Sequence, residues 1–253
     1  MNPARLSRAA GRLWATGRRF GAAAAGRQAA DRLLKAARRE RRVEAVRLEL
    51  TATSAESPDG FTARFLTPGE VAAFAADPAN DLDPDAAARA RRGDRCFGVL
   101  DGDALAASGW YALEVAEPRH CFGFGMRLPA DAAYMYKGFT HPDYRGRRLH
   151  GYVMSLALRG LADEGVVRLV STVDWTNAAS LRSCWRLGYE SLGRVVLRRG
   201  RVVRVPPPLT ALGVEVFDAA DATPRAPTVT DAPREVAARN AAAAASERRE
   251  KAP

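Results

Sequence analysis

The spacing of apolar and polar residues between about positions 61 and 205 predicts alternating strands and helices. Runs typical of strands occupy residues 61–66, 95–100, 104–113, 121–128, 134–140, 166–173, 192–197 and 202–205. Helical spacing begins at residues 68–76 and recurs at 81–92 and 151–164, where Gly165 marks a stop. Asp101, Gly102 and Asp103 separate two strands and predict a hairpin. The pattern therefore predicts one mixed α/β domain.

The two ends of the chain differ in composition from this central part. Residues 1–45 are rich in Ala and Arg, which predicts a basic arm that is helical or partly disordered. Residues 206–253 begin with three prolines, which cannot donate to a β ladder, and continue rich in Pro, Ala, Thr and Asp. We predict a disordered tail there, and the folded domain over residues 46–205.

The positive charge is concentrated in the arm. Residues 1–43 contain twelve Arg or Lys against two acidic residues, a net +10 that equals the formal net charge of the whole chain. The remainder is neutral. Two interpretations of the arm stay open: a solvated extension, or a contact with an anionic surface, either lipid or nucleic acid.

Composition argues against metal, disulfide and membrane classes. The cysteines at 96, 121 and 184 form no CxxC, and the three histidines are not spaced like a zinc site. We expect reduced thiols, no metal and a cytoplasmic protein. No apolar run is long enough to span a bilayer, and the run after Arg18-Arg19 is too short for an export segment.

Two motifs lie between residues 140 and 190. The first, THPDYRGRRLHG (140–151), is typical of a strand end that turns through Arg145 and Gly146 into a helix. Such a turn leaves backbone N–H groups free at the helix start, where the dipole also favours a pyrophosphate. The second, VDWTNAASLRSCWRLGYE (173–190), is typical of a strand end followed by a short helix that closes on Gly188-Tyr189.

Together these motifs resemble the acyl-CoA-binding core of the GNAT superfamily, the Gcn5-related N-acetyltransferases. The family pattern is Arg-x-x-Gly-x-Gly/Ala at a helix start, then a strand, Asn-x-x-Ser/Ala and Gly-Phe/Tyr. The resemblance implies a mixed, mostly antiparallel central sheet flanked by helices, with splayed central strands. It also implies acyl transfer from acetyl-CoA to an amine. The implied acyl-CoA-binding residues are Phe139, Thr140, Arg145, Gly146, Arg147, Arg148, Leu149, His150, Asn177 and Ser180.

Three residues depart from the family pattern. Arg148 and His150 stand where the family has small residues, and the Gly missing at 148 normally lets the backbone approach the pyrophosphate. We expect a helical backbone at Arg148, which tolerates this side chain, and its charge could also serve phosphates. Cys184 stands where many members place a Tyr as general acid. We favour a buried, inert thiol there.

The resemblance also assigns parts of the chemistry. In the family, the strand ending near Thr140 splays from the strand ending near Asp174, and this exposes an edge that can pair with pantetheine amides. A backbone N–H near Phe139 and Thr140 is suited to stabilising an oxyanion. Asp174 is the candidate base, although a polar loop or helix-cap role is favoured for it.

Other polar and aromatic residues have two interpretations each. Glu114, Glu117, His141 and His150 are alternative bases. Asn177 and Ser180 could bind the cofactor or cap the following helix. Four aromatic residues could line an acceptor pocket, although aromatic residues on strands are more often core: Trp110, Tyr111, Tyr134 and Tyr136.

The predicted function is an N-acetyltransferase acting on a small-molecule or peptide amine. Transfer to a hydroxyl is a second enzymatic possibility. The departures at Arg148, His150 and Cys184 suggest an alternative, a catalytically degenerate acyl-CoA-binding module that regulates or scaffolds. A third possibility is a binder of nucleic acid or membrane driven by the arm. The acceptor and the oligomeric state stay open, because function lives in the site rather than in the fold.

Overall fold

The structure is a computed structural model that describes residues 3–49 and 59–222 of the 253-residue chain. The helices are α1 (Pro3–Phe20), α2 (Ala22–Arg38), α3 (Pro68–Ala75), α4 (Ala86–Arg91), α5 (Leu149–Ala162), α6 (Ala178–Arg186) and α7 (Pro207–Ala211). The strands are β1 (Glu40–Glu49), β2 (Thr62–Leu66), β3 (Arg95–Asp101), β4 (Ala104–Ala112), β5 (Val115–Ala116), β6 (Phe124–Arg127), β7 (Ala132–Thr140), β8 (Arg168–Asp174), β9 (Glu190–Arg198), β10 (Arg201–Arg204) and β11 (Glu215–Asp218).

The described residues form two compact units. The first contains those within 1–51, 110–138 and 168–223, and the second those within 52–109 and 139–167. In the first unit the strand order is β10-β9-β1-β8-β7, and a smaller sheet has the order β11-β6-β5. Strand β1 pairs antiparallel with both β8 and β9, whereas β7 and β8 are parallel.

The core of the first unit is built on β1 and β8. Val43 and Val46 on β1 and Leu169 and Val170 on β8 are fully buried. β-Branched and aliphatic side chains in consecutive positions are typical of a strand covered on both faces. Helix α2 packs against β1.

The second unit carries strands β4, β3 and β2 in that order, with β2 antiparallel to β3. Helix α5 packs against β2 and β3, and it does so closely at Gly160, where a Cβ would lie 2.7 Å from the Phe65 ring. Helix α3 begins with a capping box between Thr67 and Glu70, which satisfies two backbone N–H groups at the helix start.

The predicted fold class, a mixed α/β fold with a mostly antiparallel sheet flanked by helices, is confirmed. Two differences concern the ends of the predicted domain. Strand β1 begins at Glu40, inside the predicted arm, and residues 3–38 form α1 and α2. Beyond Pro206, α7 and β11 continue the fold, because Pro207 and Pro208 occupy the first helical positions, where a missing N–H costs nothing. Residues 223–253 of the predicted tail lie outside the described residues.

Within the described ranges, no helix is both long enough and apolar enough to cross a membrane. The same residues contain no group of three or more His, Cys, Asp or Glu side chains arranged to hold a metal ion. All three cysteines are buried and reduced.

Candidate functional site

The connection from β7 to α5 contains the predicted phosphate turn, residues 145–148. A 3₁₀ turn over Pro142–Tyr144 follows β7, and α5 begins at Leu149. Gly146 has a φ of 86°, and a Cβ built on it would meet no atom within 4 Å. The space beside the turn is therefore open. The first N–H groups of a helix lack partners within it, and the dipole is positive there, so this geometry suits an anion.

Arg148 adopts a backbone conformation that the sequence did not predict. Its φ of 60° and ψ of 17° are left-handed, so the expectation of a right-handed helical backbone is wrong. The residue is the N-cap of α5 and lies outside the helix, where no helical hydrogen bond fixes its φ. Left-handed backbone favours Gly because a Cβ crowds the following carbonyl.

All three arginines of the phosphate turn are exposed. Arg145, Arg147 and Arg148 all present their side chains to solvent. The Arg147 guanidinium lies 5.5 Å from the centre of the Tyr144 ring. A hydrogen bond with Asp101 raises the pKa of the Tyr144 phenol, which keeps it protonated at neutral pH. The turn therefore offers three guanidinium groups to an incoming anion.

Leu149 and His150 are the first two residues of α5, and their side chains differ in burial. Leu149 is 1% exposed, so its side chain belongs to the core and only its backbone faces the turn. His150 is half-buried, and burial lowers the pKa of its imidazole. Burial therefore disfavours the charged imidazolium at this position.

Strands β7 and β8 pair over only part of their length. The parallel register runs from Ala132 opposite Arg168 to Met135 opposite Ser171, although β7 continues to Thr140 and β8 to Asp174. The Ser171 hydroxyl donates to the Met135 carbonyl at 2.9 Å, where this register ends. The predicted splay between the two strands agrees with this short register.

Beyond the paired part, the backbone of β7 bends. Lys137 has a φ of 46°, a left-handed conformation inside a strand. Such outliers persist only where surrounding structure imposes them, and they are frequent at functional sites. Phe139 and Thr140, the predicted oxyanion and cofactor residues, follow this bend and are half-buried. The Phe139 ring meets the His141 ring edge-on at 6.4 Å between centres.

Asp174, the candidate base, ends β8 and begins a turn. Its Oδ1 accepts hydrogen bonds from the Thr176 N–H at 2.9 Å and the Thr176 hydroxyl at 2.6 Å. Its Oδ2 lies 3.9 Å from the Lys35 Nζ. One carboxylate oxygen is therefore used to build the turn, and the other faces a cation from α2.

Asn177 and Ser180 cap α6. The Asn177 Oδ1 accepts from the Ser180 N–H at 3.1 Å, which satisfies one of the free donors of the helix start. The capping role is therefore present, and it uses only the amide oxygen of Asn177. That side chain is exposed, so its amide nitrogen stays accessible.

Cys184 lies on α6 and is 5% exposed. Burial raises the pKa of its thiol to about 11. The neighbouring Tyr189, on the turn after α6, is also buried, and burial raises the pKa of its phenol. A thiol in this environment is protonated and shielded at neutral pH, as the favoured interpretation predicted.

The four aromatic candidates for an acceptor pocket belong to the core. They are 0–5% exposed. Tyr136 stacks on the His120 ring at 4.1 Å, and the Tyr134 hydroxyl lies 2.6 Å from Thr172 Oγ1. Two of the four alternative bases are also engaged: Glu117 Oε2 accepts from Arg119, and His141 Nδ1 accepts from the Asp143 N–H at 3.4 Å.

Sequence reasoning missed a buried polar link to the second motif. The Asp31 carboxylate on α2 is 6% exposed and accepts from the Trp175 indole N–H at 2.9 Å. Lys35 pairs with Asp31 at 2.7 Å, so both α2 residues contact the turn that Asp174 begins. One signal was available, because Asp31 is the single acidic residue among the first 39 positions.

No family model and no curated protein matches the chain. Solved structures do resemble it. A GCN5-related N-acetyltransferase from Sphaerobacter thermophilus is 17% identical, with a TM-score of 0.46, over 70% of this chain and 57% of its own. A GCN5-related N-acetyltransferase from Kribbella flavida is 18% identical, with a TM-score of 0.43, over 62% and 57%. A GNAT-family acetyltransferase from Colwellia psychrerythraea is 16% identical, with a TM-score of 0.45, over 62% and 55%.

The matched region spans 55–57% of the length of these structures. At 16–18% identity and TM-scores of 0.43–0.46, these likenesses assign neither a family nor an activity to the chain, because one fold hosts many functions. The resemblance to the GNAT superfamily stays a prediction from the two motifs.

Proposed function

We propose that this protein is an acyltransferase that moves an acetyl group from acetyl-CoA to an amine. The observation that carries the proposal is the connection from β7 to α5. One continuous segment bends at Lys137, passes through Gly146 and Arg148 in left-handed conformations, and opens a 14-residue helix. These features support binding of an extended, phosphorylated thioester.

The phosphate turn is the proposed pyrophosphate site. The free N–H groups at the start of α5 would donate to phosphate oxygens, and the exposed guanidinium groups of Arg145 and Arg147 would add charge-assisted bonds. At position 148 the backbone, rather than the side chain, would face the phosphates. The open space at Gly146 supports this fit, because a phosphate can approach the backbone closely.

The splayed end of β7 is the proposed binding site for the pantetheine and acyl group of acetyl-CoA. Backbone groups beyond Met135 would pair with pantetheine amides as an added strand does. A backbone N–H near Phe139 or Thr140 would stabilise the oxyanion that forms when the amine attacks the thioester carbon.

Asp174 is the proposed base, and its two oxygens differ. Oδ1 holds the turn through Thr176, so Oδ2 is the oxygen that would take the proton from the acceptor ammonium. The amine nitrogen then bonds to the acyl carbon, and the carbon–sulfur bond breaks.

Cys184 would not protonate the leaving group. Its raised pKa of about 11 makes it a weaker acid than the departing thiol, given a typical thiol pKa of about 8.5. The thiolate would leave as such and take its proton from water.

Two measurements test the proposal. Acetyl-CoA or CoA should raise the melting temperature of the full chain, because a ligand that binds only the native state stabilises it. Acetyl-CoA incubated with a panel of amines, amino acids, peptides and amino sugars should release free thiol with at least one acceptor. An unchanged melting temperature at about millimolar CoA, acetyl-CoA and longer acyl-CoA would overturn the proposal.

A second candidate is an acyl-CoA-binding module without turnover. The buried thiol at Cys184 and the engagement of Asp174 by Thr176 favour it. Stabilisation by CoA combined with no thiol release across the panel would select this candidate over the enzyme.

A further inference from the structure

A groove in the first unit is lined mainly by arginine. Its volume is about 710 Å³, and alanine and valine side chains complete the lining. We call it the arginine groove, and its five basic residues are Arg38, Arg39, Arg198, Arg199 and Arg201. Arg38 is the last residue of α2 and Arg39 is its C-cap. The other three belong to the β9–β10 hairpin. The Arg199 N–H donates to the Arg39 carbonyl at 3.0 Å, which joins the two segments.

The groove holds more positive than negative charge. Glu40 accepts from Arg198 at 3.3 Å and also pairs with Arg42, and Asp218 accepts from Arg201 at 3.3 Å. Among the described residues, no carboxylate pairs with the other three arginines of the groove. Like charges held together repel, and a bound polyanion removes that repulsion.

Two of these arginines occupy backbone positions that disfavour them. Arg39 follows the end of α2 with a φ of 49°, where Gly or Asn is usual. Arg199 has a φ of 52° and precedes Gly200 at 82°, so both residues of this tight hairpin loop have positive φ. Asn-Gly is the favoured pair in such a loop. The chain thus bears backbone strain at two positions and places a guanidinium group in the groove at each, which points to function.

We propose that the arginine groove binds the phosphate backbone of nucleic acid. A guanidinium fork binds one phosphate with two parallel hydrogen bonds, so five forks suit a ligand with several phosphates. No aromatic side chain lines the groove, so bases have no surface for stacking there. Binding is therefore independent of base sequence and sensitive to salt.

A membrane surface fits the groove less well. Helices that lie on membranes present large apolar side chains beside their cations. The largest apolar side chain of this lining is Val203, and the site is a concave groove. The proposal goes beyond acyl transfer, because none of its residues belongs to the candidate acyl-CoA segments.

The test uses the full chain and a labelled, mixed-sequence duplex of about 20 base pairs, as DNA and as RNA, titrated by fluorescence anisotropy at several salt concentrations. The double variant Arg39→Asn/Arg199→Asn should lower the slope of log affinity against log salt by about 2. At about 50 mM salt its affinity should fall roughly tenfold. Its melting temperature should rise by about 2–4 °C, because Asn tolerates the left-handed backbone.

Three control variants separate the effects of charge, backbone strain and position. Arg39→Lys/Arg199→Lys keeps both the charge and the strained backbone, so its salt slope and melting temperature should stay near those of the unmodified chain. Arg91→Asn removes an exposed charge on α4 outside the groove and should change neither. Arg38→Gln lies in helical backbone, so it should lower the slope by about 1 without raising the melting temperature.

The proposal fails if the Asn double variant binds both duplexes as tightly as the unmodified chain, or if Arg91→Asn weakens binding equally. It also fails if the groove arginines control binding to phosphatidylserine vesicles while duplex binding is absent, since the groove would then serve a membrane. Weaker duplex binding by the Asn double variant together with a raised melting temperature supports it, because unfolding cannot explain that pair of results.

Discussion

The phosphate turn and the segment 174–184 were assigned by sequence to the same activity, yet they are built in opposite ways. The turn is exposed, and Gly146 and Arg148 have left-handed backbone. In the 174–184 segment the polar groups bond to one another: Asp174 to Thr176 and Asn177 to the Ser180 N–H. The turn thus bears backbone strain at Arg148, whereas the polar groups of the segment are held by hydrogen bonds within it and by Asp31 and Lys35 of α2. Substitutions in the turn should affect ligand binding most, and those in the segment turnover and stability.

The largest effect is expected at Gly146. Gly146→Asp should abolish the stabilisation by CoA, because it places a negative charge at the open face of the turn beside the pyrophosphate site. Gly146→Asn is the matched control, since it has nearly the same shape and backbone requirement but no charge. Thermal melts with and without CoA check both variants. Equal loss of CoA binding in both would mean that backbone strain, rather than charge, is responsible.

Asp174→Asn should reduce turnover by about 100-fold at neutral pH if the carboxylate is the base. The loss should shrink at high pH, where more of the acceptor amine is already deprotonated. The measurement is a pH–rate profile with one identified acceptor. Thr176→Val removes one hydrogen bond to Oδ1 and leaves the carboxylate, so it should retain most turnover. Identical profiles for Asp174→Asn and the unmodified protein would remove Asp174 as the base.

Arg148→Gly should stabilise the protein and keep CoA binding. The substitution removes a Cβ from a residue with left-handed backbone, which relieves about 1–2 kcal/mol of steric strain. It also removes a cation from a helix N-terminus, where the helix dipole makes that charge unfavourable by about 0.3–1 kcal/mol. Gly has greater conformational freedom in the unfolded chain, and this entropy offsets about 0.5–1 kcal/mol of the gain in folding stability. A net gain of about 1 kcal/mol corresponds to a rise in melting temperature of about 2–4 °C. If CoA affinity instead falls strongly in the folded variant, the Arg148 side chain is itself a phosphate ligand.

The smallest effect on turnover is expected for Cys184→Ala, because a buried thiol with a raised pKa is a poor proton donor. The variant should lose about 1 kcal/mol of stability from the lost packing. The thiol pKa is raised from 9.0 to about 11, so its contribution to stability is complete below pH 9 and is lost as pH rises toward 11. Alkaline melts of the two proteins check this. A large loss of turnover in folded Cys184→Ala would restore a general acid at this position.

The sequence predicted the elements whose signals are local. The hairpin at Asp101–Asp103, the helix that begins beside Arg148 and the parallel strand β8 each follow from turn residues or apolar spacing near them. Strand β1 was missed because its charged residues resemble those of the preceding arm, and its partners β8 and β9 lie far along the chain.

The same distinction holds for the candidate site. The sequence favoured cofactor binding for Asn177 and gave capping as its alternative role; the cap before α6 is present, and cofactor binding stays a prediction. The left-handed backbone of Arg148 could not be predicted, because its side chain is not one that favours that conformation. The bond from Trp175 to Asp31 depends on a contact between residues 144 positions apart, which no local pattern encodes.

Because Asp31 and Trp175 lie 144 positions apart, they are synthesised at different times. At about 5–20 residues per second, ribosomal synthesis of Trp175 follows that of Asp31 by about 7–30 s. Strand β1 is made early too, yet both of its neighbours, β8 and β9, come from the last third of the chain. Until then the β1 segment lacks both of its partner strands, and unpaired strand edges are prone to aggregation. We therefore expect the nascent chain to depend on chaperones more than its small size suggests.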